Sequence, residues 1–369
     1  MNEGHPASGE KASGVSRLDV ISAYRLLLGR LPESETVIAG HRQHADIETL
    51  GRLILRSDEF QNIVRKNLES ALQFQLFKGC SAEDEQLLRS FVPAIPLSAD
   101  AQEGFIVDFL GCKTRIDYSK ATHSLSGRVF GYPIPQDWFS ETIEWMGLIK
   151  SVLHARGSYR ILELGAGWAP WLVAGGTLAR RQGISDLVLY GVEADPMRCQ
   201  YARTHLRDNG FEPDAHHLVE AAVGTAAGEA FWPDDSDLGA DYGARPLDAS
   251  GKDYLGREFL KTRTVPVVSI ADLLRSEPAW DLVHVDVQGS EADLCRFGLE
   301  LLTQRVRWLV VGTHSRKQDG DLLDLFWQAG WSLEHEKPSH MLFNAQKPTL
   351  EGMVVHDGTQ VWRNPRLVR

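Results

Sequence analysis

Apolar positions along this chain fall into two different patterns. Near the start they recur at helical spacing: Val20, Tyr24, Leu27 and Leu28 line one side of a run that stops at Gly29, with Pro32 soon after. A second helix is expected around Glu48–Leu55, and Ser57-Asp58-Glu59-Phe60 is patterned as a cap opening another. One more helix, Ala82 to Phe91, is closed by Pro93 and Pro96. Residues 104–137 are mixed, with Phe105–Leu110 and Thr114–Tyr118 patterned as strands. The lead-in Phe130-Gly131-Tyr132-Pro133-Ile134-Pro135 is suited to a linker or to a lid over a ligand.

From Trp138 the pattern changes. An amphipathic helix, Trp138–His154, is followed by apolar runs that alternate with helical stretches: Tyr159–Leu164, Leu187–Glu193, His217–Gly224, Asp281–Val287 and Trp308–Thr313. Such alternation predicts an α/β fold whose mostly parallel sheet is covered on both faces. After the fifth run come a helix (Leu322–Ala329), a strand (Trp331–Glu336) and a hairpin turning at Asp357-Gly358 before Thr359–Trp362. The expected organisation is a disordered tail (1–16), a helical module (17–100), a linker or lid segment with short strands (101–137) and a large α/β domain (138–369).

Composition narrows the function. The 369 residues suit two domains, and 43% hydrophobic with 24% charged residues describes a globular chain with ample core. No apolar run is long enough to span a bilayer, and the first 16 residues lack a signal-peptide core. Four scattered cysteines without a Cys-x-x-Cys pair fit reduced thiols, so a cytoplasmic protein without structural zinc is expected. A net charge of −11 and no basic cluster beyond Arg180-Arg181 argue against a nucleic-acid substrate.

The densest chemical signal is Arg160–Trp171, where an apolar run ends in Glu163 and then Gly165-Ala166-Gly167. A strand breaking into a glycine turn and a helix leaves backbone N–H groups free and lets a ligand lie against the backbone. The third glycine of a dinucleotide fingerprint is missing, since Ala169 and Pro170 stand in its place. Glu163 would face a cationic ligand such as S-adenosylmethionine, and Trp168 is placed to stack on it or to pack in the core. Glu193, followed by Ala194, ends the second strand, where a carboxylate accepts both hydroxyls of a ribose. Glu220 and Ala221 end the third, where an adenine would be gripped.

Asp286-Val287-Gln288-Gly289-Ser290-Glu291 follows the fourth strand. With Asp281-Leu282-Val283 before it, Val267–Leu274 upstream and Ala222-Val223-Gly224 after the third strand, the chain resembles the FkbM family of S-adenosylmethionine-dependent methyltransferases over about residues 158–335. The resemblance implies a doubly wound, mostly parallel seven-stranded methyltransferase sheet with an antiparallel C-terminal hairpin. It implies O-methylation of a sugar or natural-product hydroxyl, as in polysaccharide biosynthesis. His284 and Gln288 depart from it, standing where the family has Lys and Glu. Tyr24–Arg30 with Ser57–Phe60 resembles a small helical domain found in bacterial surface and glycan-related proteins, a module for docking a partner or for oligomerisation.

For the chemistry, His314 ends the fifth strand and is suited to take a hydroxyl proton near neutral pH. Asp286 is the rival base, and Glu291 stands with them. The three also make a set able to hold a hard divalent cation, an option the residues leave open without enforcing it. The acceptor is expected to be a small molecule or glycan. Two other functions stay open: an NAD(P)-dependent oxidoreductase, and an inactive methyltransferase-fold scaffold in glycan assembly.

Overall fold

The computed structural model describes residues 14–64, 79–91, 101–130, 140–234, 244–247, 251–253, 257–259, 261–347 and 349–368. The chain divides into two compact units, 1–75 and 76–369. The expected tail up to residue 13, and the lead-in from 131 with the start of the helix expected at Trp138, lie outside the described residues.

The first unit is built from α1 (Arg17–Leu28), α2 (Glu35–His41) and α3 (Ile47–Leu55), with a further helical stretch from 58 to 64. Each labelled helix starts at a side-chain acceptor: Ser16, Ser34 and Asp46 take the N–H three residues on. α1 ends at Gly29 in the left-handed region (φ 68°), a conformation that is inexpensive only without a Cβ. Val20, Tyr24, Ile38, Leu50 and Ile54 form the buried centre. α2 escaped the hydrophobic pattern because only Ile38 of its seven residues is buried.

In the second unit α4 (Ala82–Phe91) belongs with the α/β body rather than with the N-terminal helices. Its Asp84 Oδ1 pairs with Lys150 Nζ at 2.8 Å, and its Leu88 joins the main core. β1 (Phe105–Val107) and β2 (Lys113–Arg115) pair antiparallel. Arg115 bonds Asp208 (2.6 Å) and Tyr118 stacks on Tyr201 at 4.7 Å, so this expected lid segment is clamped to a helix of the body. α5 (Thr142–His154) is buried nearly all round, not amphipathic, because Leu88 and Phe109 cover the side that would face water.

The main sheet uses β3 (Ser158–Leu164), β4 (Asp186–Glu193), β5 (His217–Glu220), β9 (Trp280–Val285), β10 (Val306–Thr313), β11 (Ser332–Lys337) and β14 (Gly358–Arg363), in the order β11-β14-β10-β9-β3-β4-β5. β14 is antiparallel to both neighbours and the other pairs are parallel. The chain winds outward from β3 in one direction and from β9 in the other. The strand order therefore reverses between these two, where open α/β sheets bind ligands.

Helices α6 (Pro170–Arg181) and α7 (Pro196–Asp208) join α5 on one face, while α8 (Ile270–Arg275), α9 (Glu291–Arg305) and α10 (Arg316–Gln328) cover the other. Alternation along each strand sorts the side chains: Tyr159 and Ile161 face the α5–α6 side, Leu162 and Leu164 the α8–α9 side. Two expectations change here. The third run breaks at Ala221, so that β6 (Ala222–Gly224) leaves the main sheet for a small one with β7 (Gly228–Pro233) and β8 (Thr262–Ser269). Asp357-Gly358 is not a tight hairpin turn. β14 pairs with β11 and β10, while β13 (Val354–His356) pairs with β12 (His340–Met341), because the buried backbone of β10 and β11 offers β14 longer ladders.

Among the described residues no helix is long and apolar enough to cross a membrane.

Candidate active site

The site grows from the loop after β3. Gly165 (φ 78°) and Gly167 (φ 56°) turn through the left-handed region, followed by Ala169 (φ 60°) at the start of α6. Gly165 has a second reason to be glycine. Asp286 N–H donates to Leu164 O (2.9 Å), drawing the loops after β3 and β9 together, so a Cβ at 165 would lie 1.8 Å from Asp286 O. Ala169 has no side-chain acceptor for the helix it opens. Glu163 supplies one, its Oε1 and Oε2 accepting from Trp171 N (3.4 Å) and Leu172 N (3.1 Å).

Beside this turn lies a partly open cavity that the loops after β3, β4 and β9 line together. One wall is a buried carboxylate. Glu193 Oε2 accepts from Gly167 N and Oε1 from Asp195 N, both at 2.8 Å, which fixes the group at the cavity lining. Burial raises the Glu193 carboxyl, and the Arg198 guanidinium, also lining the cavity, counters that. The next wall is apolar, with Ala194, Ala222 and Trp232 in one small hydrophobic cluster that extends to Ala244.

The far wall is polar, formed by Asp286, Gln288 and Ser290. Asp286 Oδ1 accepts from Gln288 Nε2 (2.9 Å) and lies 3.3 Å from His314 Nε2. His314 Nδ1 is 3.0 Å from Glu291 Oε1, an ion-pair distance without hydrogen-bond alignment. Glu291, fully buried, folds back from the first turn of α9 to accept from Val287 N and Gly289 N. Burial opposes a charge on His314, but Glu291 and Asp286 outweigh it and hold the imidazole well above its ordinary range. Burial likewise pushes the Asp286 carboxyl up, and His314 outweighs that, holding it below the usual carboxylate range. The result is an imidazolium between two carboxylates.

No family model matches the chain. A protein of Jannaschia sp. (strain CCS1) named "Putative methyltransferase" is 32% identical over 272 residues, spanning 73% of this chain and 95% of that one. This chain belongs to the methyltransferases. Among solved structures, the METTL16 MTase domain aligns at 16% identity over 60% of this chain and 66% of that one, with a TM-score of 0.33. The precorrin-6y C5,15-methyltransferase from Geobacter metallireducens GS-15 aligns at 10% identity over 62% and 89%, also at 0.33.

The methyltransferase gathers only part of the residues expected from its sequence. Gly165, Gly167, Glu193, Ala194, Ala221 and Asp286 line the cavity. Glu163, Ala166, Trp168 and Glu220 do not. Glu163 shares a strand face with Ile161, so it points at the start of α6 and is 1% exposed. Ala166 is buried, its N–H donating to Val192 O. Trp168 turns toward Tyr118 and its carbonyl accepts from His205 Nδ1 (2.9 Å), while Glu220 is exposed at the end of β5. His314 and Asp286 do come together, and the buried Glu291 carboxylate lies at the other ring nitrogen of His314. His284, on the same face as Leu282, contacts Glu144 Oε1 at 3.3 Å and Trp171, away from the cavity.

Asp286, Glu291 and His314 present donor atoms within 4.8 Å of one another. Their chemistry is that of an ion-paired imidazolium: a carboxylate stands at each ring nitrogen, and Glu291 is occupied by backbone N–H groups.

Sequence reasoning missed Arg198, Trp232, Ala244 and Pro246, and noted Ser290 only within the stretch after the fourth strand. Ala222 had drawn notice only as part of a motif. Trp232 carried a signal in the alternation of Ala230 and Trp232 against exposed Phe231, while Ala244 and Pro246 carried none.

Proposed function

We propose that this methyltransferase uses S-adenosylmethionine to methylate a hydroxyl of a small polar or sugar acceptor. The observation that carries the cofactor reading is Glu193, a buried carboxylate held by two backbone N–H groups between the glycine turn and an apolar slot. A nucleoside asks for that combination: two acceptor oxygens for the ribose hydroxyls and a thin apolar cleft for the base. Glu193 would hold the ribose, Ala222 and Trp232 the adenine, and the open backbone at Gly165–Gly167 the methionine end. Bound S-adenosylmethionine supplies the activated methyl group.

At the polar wall, Asp286 orients the acceptor. His314 and Gln288 both approach Oδ1, which leaves Oδ2 to accept a hydrogen bond from the acceptor hydroxyl. A carboxylate held below its usual range is a weak base in the resting site. Its main contribution is therefore alignment, with the hydroxyl proton passing to Oδ2 late. His314, already protonated, stabilises Asp286 as an anion and does not serve as the base. The hydroxyl as target rests on the resemblance to the FkbM family, which is carried by motif order alone. In this reading the helices of residues 17–64 serve docking or oligomerisation.

The test is calorimetric titration with S-adenosylmethionine and S-adenosylhomocysteine. Micromolar binding to wild type and at least tenfold weaker binding to Glu193→Gln (about 1.4 kcal/mol) are expected. A folded wild-type protein that binds neither ligand would sink the proposal.

A further inference from the structure

Among the described residues that line the cavity, Arg198 is the only cationic one. Both Arg198 and Glu193 are 7% exposed. A guanidinium taken out of water is costly unless an anion faces it, and an adenosine carries no charge to do so. The anion on the same wall is Glu193, and one short piece of chain holds the two together. Glu193 ends β4, its Oε1 accepts from Asp195 N (2.8 Å), and Asp195 Oδ1 accepts from Arg198 N (3.1 Å) in the first turn of α7.

The acids around Glu193 push it toward its neutral form. Glu163 stands on the neighbouring strand β3, Glu220 pairs with Glu193 in register on β5, Asp195 is two residues on, and Asp286 lines the cavity as well. Asp195 is turned to other partners: Oδ2 takes Arg263 Nη2 of β8 at 3.0 Å, and Oδ1 the N–H groups of Met197 and Arg198. On α7, Arg203 pairs with Asp214 (3.4 Å) and Cys199 donates to Glu193 O (3.3 Å). Burial pushes the Cys199 thiol up, so it stays neutral. A buried carboxylate in such company tends to keep its proton. Protonated, it presents an O–H in place of one acceptor and no longer matches a cis-diol.

We propose that Arg198 is a positioning residue for the cofactor: it keeps Glu193 ionised in the buried cavity, so that both carboxylate oxygens accept the ribose hydroxyls across neutral pH. It acts through Glu193 and touches no reacting atom. Burial raises the Glu193 carboxyl and the Arg198 guanidinium opposes that rise. Without the guanidinium, Glu193 takes up its proton at a higher pH and the ribose loses an acceptor. The proposal rests on the reading of Glu193 as the ribose acceptor.

The probe is S-adenosylhomocysteine, titrated calorimetrically between about pH 5 and 8.5 into the full-length wild type, Arg198→Met and Arg198→Lys. The ligand lacking the ribose hydroxyls is 2′,3′-dideoxyadenosine. In Arg198→Met the pH at which affinity is half lost should rise by about 1–3. Binding near the acidic end should then be weaker by about tenfold or more, with the deficit closing as pH rises. Arg198→Lys should keep the wild-type profile, and dideoxyadenosine should show the same profile in wild type and Arg198→Met. Arg198→Gln reads the same quantity should the methionine variant not fold. A deficit of the same size at every pH, as lost packing would give, overturns the proposal. So does an unchanged affinity, or a lysine variant that follows the methionine one. A folded wild type that binds S-adenosylhomocysteine at no pH sinks the cofactor reading and this proposal with it, whereas a pH-independent deficit in the variant sinks only the part given to Arg198.

Discussion

His314 Nε2 stands 3.3 Å from Asp286 Oδ1, joining the loops after β10 and β9 at the polar wall of the cavity. Neither residue titrates normally. The imidazole is held well above its ordinary range and the carboxyl below its own, so each keeps the other charged.

The pair makes a pH-dependent contribution to stability with a defined sign. His314 is raised in the folded state, so its share is fully present below the unfolded histidine value (about 6.5) and is lost as pH rises through the folded value. Asp286 is lowered, so its share is present above the unfolded carboxylate value (about 3.9) and is lost as pH falls through the folded value. His314→Gln leaves buried Glu291 without its cation and should cost ~3–5 kcal/mol. In urea titrations the difference from wild type should be largest between about pH 4 and 6.5 and should shrink at alkaline pH. A difference that grows as pH rises above about 6.5 would contradict the assignment.

Glu163 accepts from two N–H groups at the start of helix α6. Glu163→Gln keeps an acceptor oxygen and should leave S-adenosylhomocysteine affinity within about threefold, under 1 kcal/mol. Glu163→Ala should lower stability by ~1 kcal/mol or more, because two buried N–H groups lose their partner. A large loss of affinity in the glutamine variant, with stability intact, would return Glu163 to the binding site.

Gly165 should tolerate no side chain. Gly165→Ala places a Cβ against Asp286 O and adds left-handed strain, together ~2–5 kcal/mol. Thermal unfolding would show the loss. Ligand binding should fall with it, since the same displacement moves Asp286.

The apolar slot can be closed from within. Ala222→Leu should fill the space beside Trp232 and weaken S-adenosylhomocysteine at least tenfold (about 1.4 kcal/mol) with little effect on urea stability, because Ala222 lines the cavity. Equal affinities would remove this slot as the site of the base.

The two units predict independent behaviour. Residues 76–369 expressed alone should fold and bind S-adenosylhomocysteine as the full chain does, because the core of α4, α5 and the sheet is contained there. A fragment that aggregates or fails to bind would show that the N-terminal helices support the site.

Much of this protein is written locally. Apolar runs alternating with helical stretches were enough to predict a mostly parallel sheet. A run ending in glycines, with carboxylates at 193 and 286 at the ends of later runs, was enough to mark one edge of that sheet as the binding edge. These features depend on neighbours within a few residues, and that is why they can be read from the chain.

Tertiary structure decided the rest. Glu163 and His284 end up facing the α5–α6 layer because strand alternation, fixed by which helices cover which face, turns them inward. Glu291 is buried because α9 starts close enough to fold its carboxylate back on the preceding loop. Trp232, Ala244 and Pro246 reach the cavity only because the chain after β6 leaves the main sheet and returns over its edge. β14 ignores its nearest neighbour, β13, and inserts between β10 and β11, since pairing is chosen by the backbone edges that remain open, and no local pattern records which those are.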